Sequence, residues 1–183
     1  MKKNLIVAAM AAAFAASSWA AVSPEQAAAL GTTLTPMGAE KAGNAAGTIP
    51  EWTGGLTEPV AGFKTGGHYP DPYPADKPKF TIDASNMAQY KANLSPGQMA
   101  LMQRYPNWKM KVYPTRRSAA FPQGIYAETR ANATKVKLVD PGVGFTGTTG
   151  GTPFPIPQNG LEVIWNHITS YKGDTYRTSW SQA

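Results

Sequence analysis

Residues 150–167 read GGTPFPIPQNGLEVIWNH, and this stretch joins a proline-rich segment directly to a patterned helix. Pro153, Pro155 and Pro157 fix their φ angles and remove three backbone donors, so the segment is predicted to be extended and to lie along a surface or an edge. The residues that follow have the i, i+3, i+4, i+7 spacing of an amphipathic helix, with apolar Leu161, Ile164, Trp165 and Ile168. This candidate hydrophobic face must be covered by something. The sequence leaves three alternatives open: a sheet of the same protein, a partner or a ligand.

Residues 1–20 have the features of a secretory signal peptide. Lys2 and Lys3 form a basic start, residues 5–16 are apolar, and Ser18-Trp19-Ala20 presents small residues where a signal peptidase cleaves. The apolar run is shorter than the roughly 20 residues that a membrane span needs. The sequence therefore predicts cleavage after residue 20 and a location in the periplasm.

The composition narrows the class of protein further. The chain of 183 residues contains no cysteine, which excludes disulfides, thiolate catalysis, Cys-ligated metals and an acylated lipoprotein. Its 18 glycines and 16 prolines are concentrated in residues 31–79 and 141–160. Long loops are expected there, and aromatic residues such as Trp52 indicate that the first of these loops is ordered.

Capping residues and hydrophobic periodicity predict a series of short elements. Helices are expected at 23–30, 83–94, 95–105, 124–133 and 159–171, and strands at 108–113, 135–139 and 175–182. Residues 21–80 are predicted to be a Gly/Pro-rich ordered loop region with a short N-terminal helix, and residues 81–183 the α+β portion of one domain. Since so few short strands make a poor sheet, we expect the chain to be the front part of a longer one.

The glycine motif at residues 142–147, GVGFTG, matches G-x-G-x-x-G and follows a predicted strand. Dinucleotide binding by this motif requires a helix N-terminus directly afterwards, where the pyrophosphate is held. Residues 148–158 are rich in glycine and proline instead. The sequence therefore predicts no nucleotide cofactor, and we interpret the motif as a flexible loop.

Residues suited to catalysis or metal binding are few and scattered. His68 and His167 are the two histidines, and neither has a partner at metal-ligand spacing. The carboxylates fall in loops, turns and separate helices: Asp71, Asp76, Asp83, Glu128, Asp140, Glu162 and Asp174. No serine lies in a G-x-S-x-G elbow. The sequence thus predicts no catalytic, cofactor-binding or metal site and disfavours an enzyme, with a periplasmic hydrolase as the alternative function.

Basic residues cluster around the predicted strand at 108–113. Lys109 and Lys111 share one face of this strand while Met110 and Val112 share the other, as in a half-solvated strand. Attraction to anionic lipid headgroups at a membrane surface is the alternative interpretation. Nucleic acid is not an expected partner in the periplasm.

Five segments resemble one family of Gram-negative envelope proteins. They are LTPMGAEKAGN at 34–44, IPEWTGG at 49–55, FTIDASNM at 80–87, LSPGQ at 94–98 and the stretch at 150–167. On these motifs the chain is similar to domain-of-unknown-function family thirteen twenty-nine, described as similar to outer-membrane lipoprotein-sorting proteins.

The resemblance implies a longer protein whose strands continue into an antiparallel, open half-barrel sheet that can enclose an acyl chain. Its members are often encoded beside an outer-membrane protein and exporters of the resistance-nodulation-division type. Handling of lipid or another hydrophobic ligand is therefore expected, in the periplasm or at the outer membrane, with an envelope exporter or outer-membrane protein as partner. No binding residues are defined for the family, so the candidate hydrophobic face remains the candidate site.

Overall fold

The computed structural model describes residues 21–139, 142–175 and Thr178. The predicted signal peptide, Asp140 and most of the predicted strand at 175–182 lie outside the described residues. Within them the fold is α+β, as predicted, with short helices and two antiparallel sheets of two strands each. The half-barrel sheet that the resemblance implies stays an expectation.

The elements are short and are separated by long loops. In chain order they are α1 (Pro24–Ala27), β1 (Phe80–Ile82), a 3-10 helix (Met87–Asn93), α2 (Pro96–Arg104), β2 (Met110–Val112), α3 (Gln123–Asn132), β3 (Lys137–Val139), β4 (Gly144–Thr146) and α4 (Gly160–Ile168). Residues 31–79 contain turns and isolated bridges but no helix or strand, so the long loop predicted there is confirmed.

Two helices begin at the serines that were predicted to cap them. Ser23 Oγ accepts from the backbone N of Gln26 at 3.3 Å, and Ser95 Oγ accepts from the backbone N of Gln98 at 3.2 Å. The backbone N–H of each serine in turn donates to Oε1 of the same glutamine, which completes a capping box. The first residue of both helices is a proline. Its missing N–H costs no hydrogen bond there, because the first N–H groups of a helix have no intrahelical acceptor.

Three predicted helices are shorter than expected, and the one predicted at 23–30 is only α1 (Pro24–Ala27). The helix predicted at 83–94 is the 3-10 helix, because Asp83 Oδ1 accepts from the backbone N of Ser85 at 2.9 Å and holds a turn first. The helix predicted at 159–171 ends at Ile168, not near Gly173. Thr169 closes it there, since its hydroxyl donates to the Trp165 carbonyl at 2.7 Å.

The glycine motif forms part of a hairpin, so its interpretation as a flexible loop is wrong. β3 and β4 are antiparallel, with Leu138 opposite Phe145 and Val139 opposite Gly144. Gly147 has a φ of +103°, and a Cβ there would lie 2.8 Å from the carbonyl oxygen of Lys135. Glycine is therefore needed at residue 147, just after β4, for its positive φ and for the close approach of the two backbones.

The described residues form two compact units. The first unit consists of the described residues before Gly43 and after Ala120, and the second unit is Gly43–Ala120. The core of the first contains Ala27, Leu30 and Ala133. The core of the second contains Ile82, Leu94 and Met102. The candidate hydrophobic face belongs to the first unit.

Candidate functional site

The proline segment at 153–157 lies partly inside the first unit, so the prediction of a surface or edge position is wrong. Pro153, Phe154 and Pro155 are buried, and Pro153 is less than 2% exposed. An extended backbone without strand neighbours would leave polar groups unpaired in the interior. Side chains from two helices supply the partners.

Asparagine and threonine side chains of α3 and α4 hydrogen-bond to this backbone. Asn166 Oδ1 accepts from Phe154 N at 2.9 Å, and Asn166 Nδ2 donates to Phe154 O at 2.7 Å. Asn132 Nδ2 donates to Thr152 O at 3.0 Å, and Thr129 Oγ1 accepts from Thr152 N at 2.9 Å. The burial of the segment is compatible with the rule that interior polar groups are paired.

The first turn of α4 buries a carboxylate. Asn159 Oδ1 accepts from Glu162 N at 3.1 Å and caps the helix. Glu162 is 6% exposed, and its carboxylate accepts from Gln158 N at 2.6 Å and from Asn159 Nδ2 at 3.0 Å. A negative charge is also favoured at a helix N-terminus. Glu162 thus fixes the N-terminal end of α4, and Asn166 holds the polar side of the helix against Phe154.

The apolar side of α4 consequently points outward. Leu161 is 40% exposed, Ile164 54% and Ile168 58%, and we call these three residues the exposed face of α4. Trp165, the fourth predicted member, is half-buried. Its indole N–H donates to Gly142 O at 3.1 Å, and its ring meets Phe145 edge to face at 5.3 Å. Three of the four predicted residues are therefore uncovered in the described part of the chain.

A cleft with a volume of about 480 Å³ opens beside the C-terminal end of α4. It is lined by Ile125 and Glu128 of α3, by Phe145 of β4, by residues 148–151 and by residues 168–174. Its size lies within the roughly 300–1,000 Å³ of typical ligand sites. Because Ile168 belongs to both features, the cleft adjoins the exposed face of α4.

Residues 81–183, which include the exposed face of α4 and the cleft, match the model of the family described as "Protein of unknown function (DUF1329)". The chain belongs to this family. The resemblance noted from the sequence motifs is thereby confirmed.

An uncharacterised protein of Pseudomonas aeruginosa is similar to this DUF1329 member. The two are 52% identical over 165 residues, which cover 90% of this chain and 36% of the relative. The chain thus spans about a third of the length of that curated relative. No solved structure matches the chain.

The two histidines of the DUF1329 chain lie in different units. His68 is exposed in a loop of the second unit, and His167 is exposed on α4. Among the described residues, no three His, Cys, Asp or Glu side chains are placed to hold a metal ion. None of the helices in the described part has both the length and the apolar content that crossing a bilayer requires.

The basic residues of the second unit have different environments. Lys109 and Lys111 are exposed while Met110 and Val112 are half-buried, which confirms the half-solvated strand. Arg116 forms a bidentate pair with Asp76, with Nε–Oδ2 at 3.0 Å and Nη2–Oδ1 at 2.5 Å. Attraction to anionic lipid stays a prediction.

The polar residues that matter most to the site were not predicted from the sequence. They are Thr129, Asn132 and Asn166, together with Glu162, which was expected to be only one of several scattered carboxylates. Glu128 and Asp174 were likewise expected to be unrelated, whereas both line the cleft. One signal was available: a proline segment keeps its carbonyl oxygens and some N–H groups, which need partners if it is buried. Polar residues at helical spacing next to such a segment are candidates for that role.

Proposed function

We propose that this protein handles lipid or another hydrophobic ligand in the periplasm or at the outer membrane of a Gram-negative envelope. The exposed face of α4 carries this proposal, because a helix normally turns its apolar residues toward the core. An accessory role at an envelope exporter or an outer-membrane protein rests on the family resemblance alone. We propose this function for the full-length protein, since the chain spans about a third of the length of its relative.

The orientation of α4 supports the proposal because hydrogen bonds hold it from the opposite side. Glu162 and Asn166 make four hydrogen bonds at 2.6–3.0 Å to Gln158, Asn159 and Phe154. Asn166 and the half-buried Trp165 thus attach α4 to the first unit, and Leu161, Ile164 and Ile168 are left exposed. Covering side chains that are half exposed stabilises a complex by roughly 1 kcal/mol each. Clustered exposed apolar residues of this kind often mark a binding surface.

The cleft supports the same function because it extends the apolar surface inward. Ile168 forms the junction, and Phe145 and Ile125 provide further apolar lining. An acyl chain or a similarly elongated apolar molecule lying on the exposed face of α4 would have its end at this cleft.

Native mass spectrometry of the full-length protein, followed by lipid extraction, tests the proposal. We expect a co-purifying hydrophobic molecule that is retained by the unmodified protein. The double variant I164S/I168S should lose most of it, because both side chains lie on the exposed face. L56S is the matched control, since Leu56 is 42% exposed but belongs to the second unit.

An empty protein, or equal ligand retention by I164S/I168S and the unmodified protein, would contradict the proposal. Thermal unfolding of each variant shows whether the fold is retained, and little change is expected because the replaced side chains are exposed. Turnover of ester substrates by an empty protein would favour the hydrolase alternative instead.

A further inference from the structure

The lining of the cleft is divided into an apolar part and an acidic part. Ile125, Phe145 and Ile168 provide the apolar surface, whereas Glu128 and Asp174 provide two carboxylates. Such a division suits a molecule with an apolar body and a polar head. The sign of the charges that line the cleft then determines which kind of polar head group binds there.

The two carboxylates are held near one hydroxyl group. Asp174 Oδ1 accepts a hydrogen bond from the hydroxyl of Tyr171 at 3.2 Å, and Tyr171 also lines the cleft. Burial raises the pKa of Tyr171, and the hydrogen bond to Asp174 and the negative charges of Asp174 and Glu128 raise it further. The hydroxyl therefore keeps its proton at neutral pH and donates it to Asp174.

Glu128 is positioned from the other side of the cleft. Its carboxylate lies directly over Gly150, where a Cβ would collide with Oε2. A side chain at residue 150 would displace this carboxylate from the position that it takes. Gly151, with a φ of +69°, approaches the backbone N of Thr129 so closely that a Cβ would lie 2.7 Å from it.

The net charge of the side chains that line the cleft is opposite in sign to the net charge of the whole chain. The whole chain has a formal net charge of +6, whereas the described lining contains two carboxylates against the single ammonium group of Lys172. Interactions beyond about 10 Å are screened at moderate salt, so the nearby carboxylates govern a group bound inside the cleft. A carboxylate is an acceptor only, and an ammonium group offers three donors.

We propose that the cleft binds an amphiphile with an ammonium head, which contacts Glu128 and Asp174 while the apolar body lies along Phe145, Ile168 and the exposed face of α4. This inference rests on the proposed handling of hydrophobic ligands and adds the class of head group. The ring of Tyr171, beside Asp174, favours the same head group, because aromatic rings attract cations.

Isothermal titration of the full-length protein with dodecylamine, dodecanol and dodecanoate, each below its micelle-forming concentration, tests the head group with the tail held constant. We expect dodecylamine to bind about ten-fold more tightly than dodecanoate, with dodecanol between them. In the double variant E128Q/D174N this preference should fall to about two-fold or less, because the acceptor charges are gone. E58Q is the control, since Glu58 is an exposed carboxylate of the second unit.

Four results would overturn the inference. Equal binding of the three probes, or tightest binding of dodecanoate, would show that the cleft does not select an ammonium head, although the proposed function would stand. An amine preference that survives E128Q/D174N would place the selection elsewhere. Binding of none of the probes would count against the proposed function as well.

Discussion

Asn166 bonds to both backbone polar groups of Phe154, with Phe154 N donating to Oδ1 at 2.9 Å and Nδ2 donating to Phe154 O at 2.7 Å. One side-chain amide thereby replaces the strand neighbour that an extended residue would have in a sheet. Phe154 is 7% exposed, so water cannot easily take over either bond. The attachment of α4 to the proline segment depends on this pair.

Replacing Asn166 by alanine should destabilise the first unit. The change leaves a buried donor and a buried acceptor of Phe154 unpaired, and we expect a loss of about 2–3 kcal/mol in the free energy of unfolding. Urea denaturation followed by circular dichroism measures it. N93A, at an exposed position of the 3-10 helix, is the control and should change the free energy little. Equal effects of the two variants would show that the pair is not important.

Replacing Gly38 by alanine should be far more damaging than replacing Gly62. Both glycines have a positive φ, +91° and +83°, so alanine is strained at either position. Only at Gly38 would the new Cβ collide with a backbone carbonyl, that of Pro155, whereas nothing lies within 4 Å at Gly62. We expect G62A to lose about 1 kcal/mol of stability and G38A roughly 3 kcal/mol or more, measured by thermal unfolding. Similar melting temperatures would refute the close packing of Gly38 on the proline segment.

Replacing Glu162 by alanine should loosen the start of α4. Gln158 N and Asn159 Nδ2 lose their acceptor, and we expect the free energy of unfolding to fall by about 1–3 kcal/mol. Hydrogen exchange should become faster in the first turn of α4 in particular. E58A is a suitable control because Glu58 is an exposed carboxylate of the second unit. Unchanged exchange in α4 would mean that the carboxylate is dispensable there.

The pair between Asp76 and Arg116 should make the second unit sensitive to acid. The hydrogen bond from Arg116 lowers the pKa of Asp76, so the folded state favours the charged carboxylate. This contribution is present above the ordinary pKa of an aspartate and is lost as the pH falls through the lowered value. We expect D76N to be less stable than the unmodified protein at about pH 7 and nearly equal to it at about pH 2.

The melting temperatures of D76N and of the unmodified protein, measured from about pH 2 to about pH 7 at low and at high salt, test this expectation. The side chains of Arg116 and Asp76 are 45% and 19% exposed, so the difference at neutral pH should shrink as salt screens the pair. A difference that is independent of pH would point to a packing effect of the substitution.

Local signals predicted local structure well. Ser23 and Ser95 begin helices as expected, because the residues that complete each capping box lie three positions further along. The alternation of Lys109 and Lys111 with Met110 and Val112 likewise predicted which side of β2 is exposed. These patterns depend on neighbours within one turn of helix or one face of a strand.

The site was less predictable because its partners are distant in sequence. The burial of Phe154 depends on Asn166, and the backbone of Thr152 is paired with Asn132 and Thr129 of another helix. The apolar spacing of Leu161, Ile164 and Ile168 correctly indicated a helix. Which side faces the core was decided by hydrogen bonds of Glu162 and Asn166, which periodicity does not reveal.

The second unit is a continuous insertion into the first, and this affects the order in which the chain can fold as it emerges. Gly43–Ala120 has its complete sequence while more than half of the first unit is still missing. Leu30 is fully buried in the folded protein, but Ala133 and Ile156, which pack with it, emerge later. Until then, apolar side chains of the N-terminal part of the first unit are exposed and accessible to chaperones. Folding of the first unit therefore begins late and depends on contacts between residues that are far apart in the sequence.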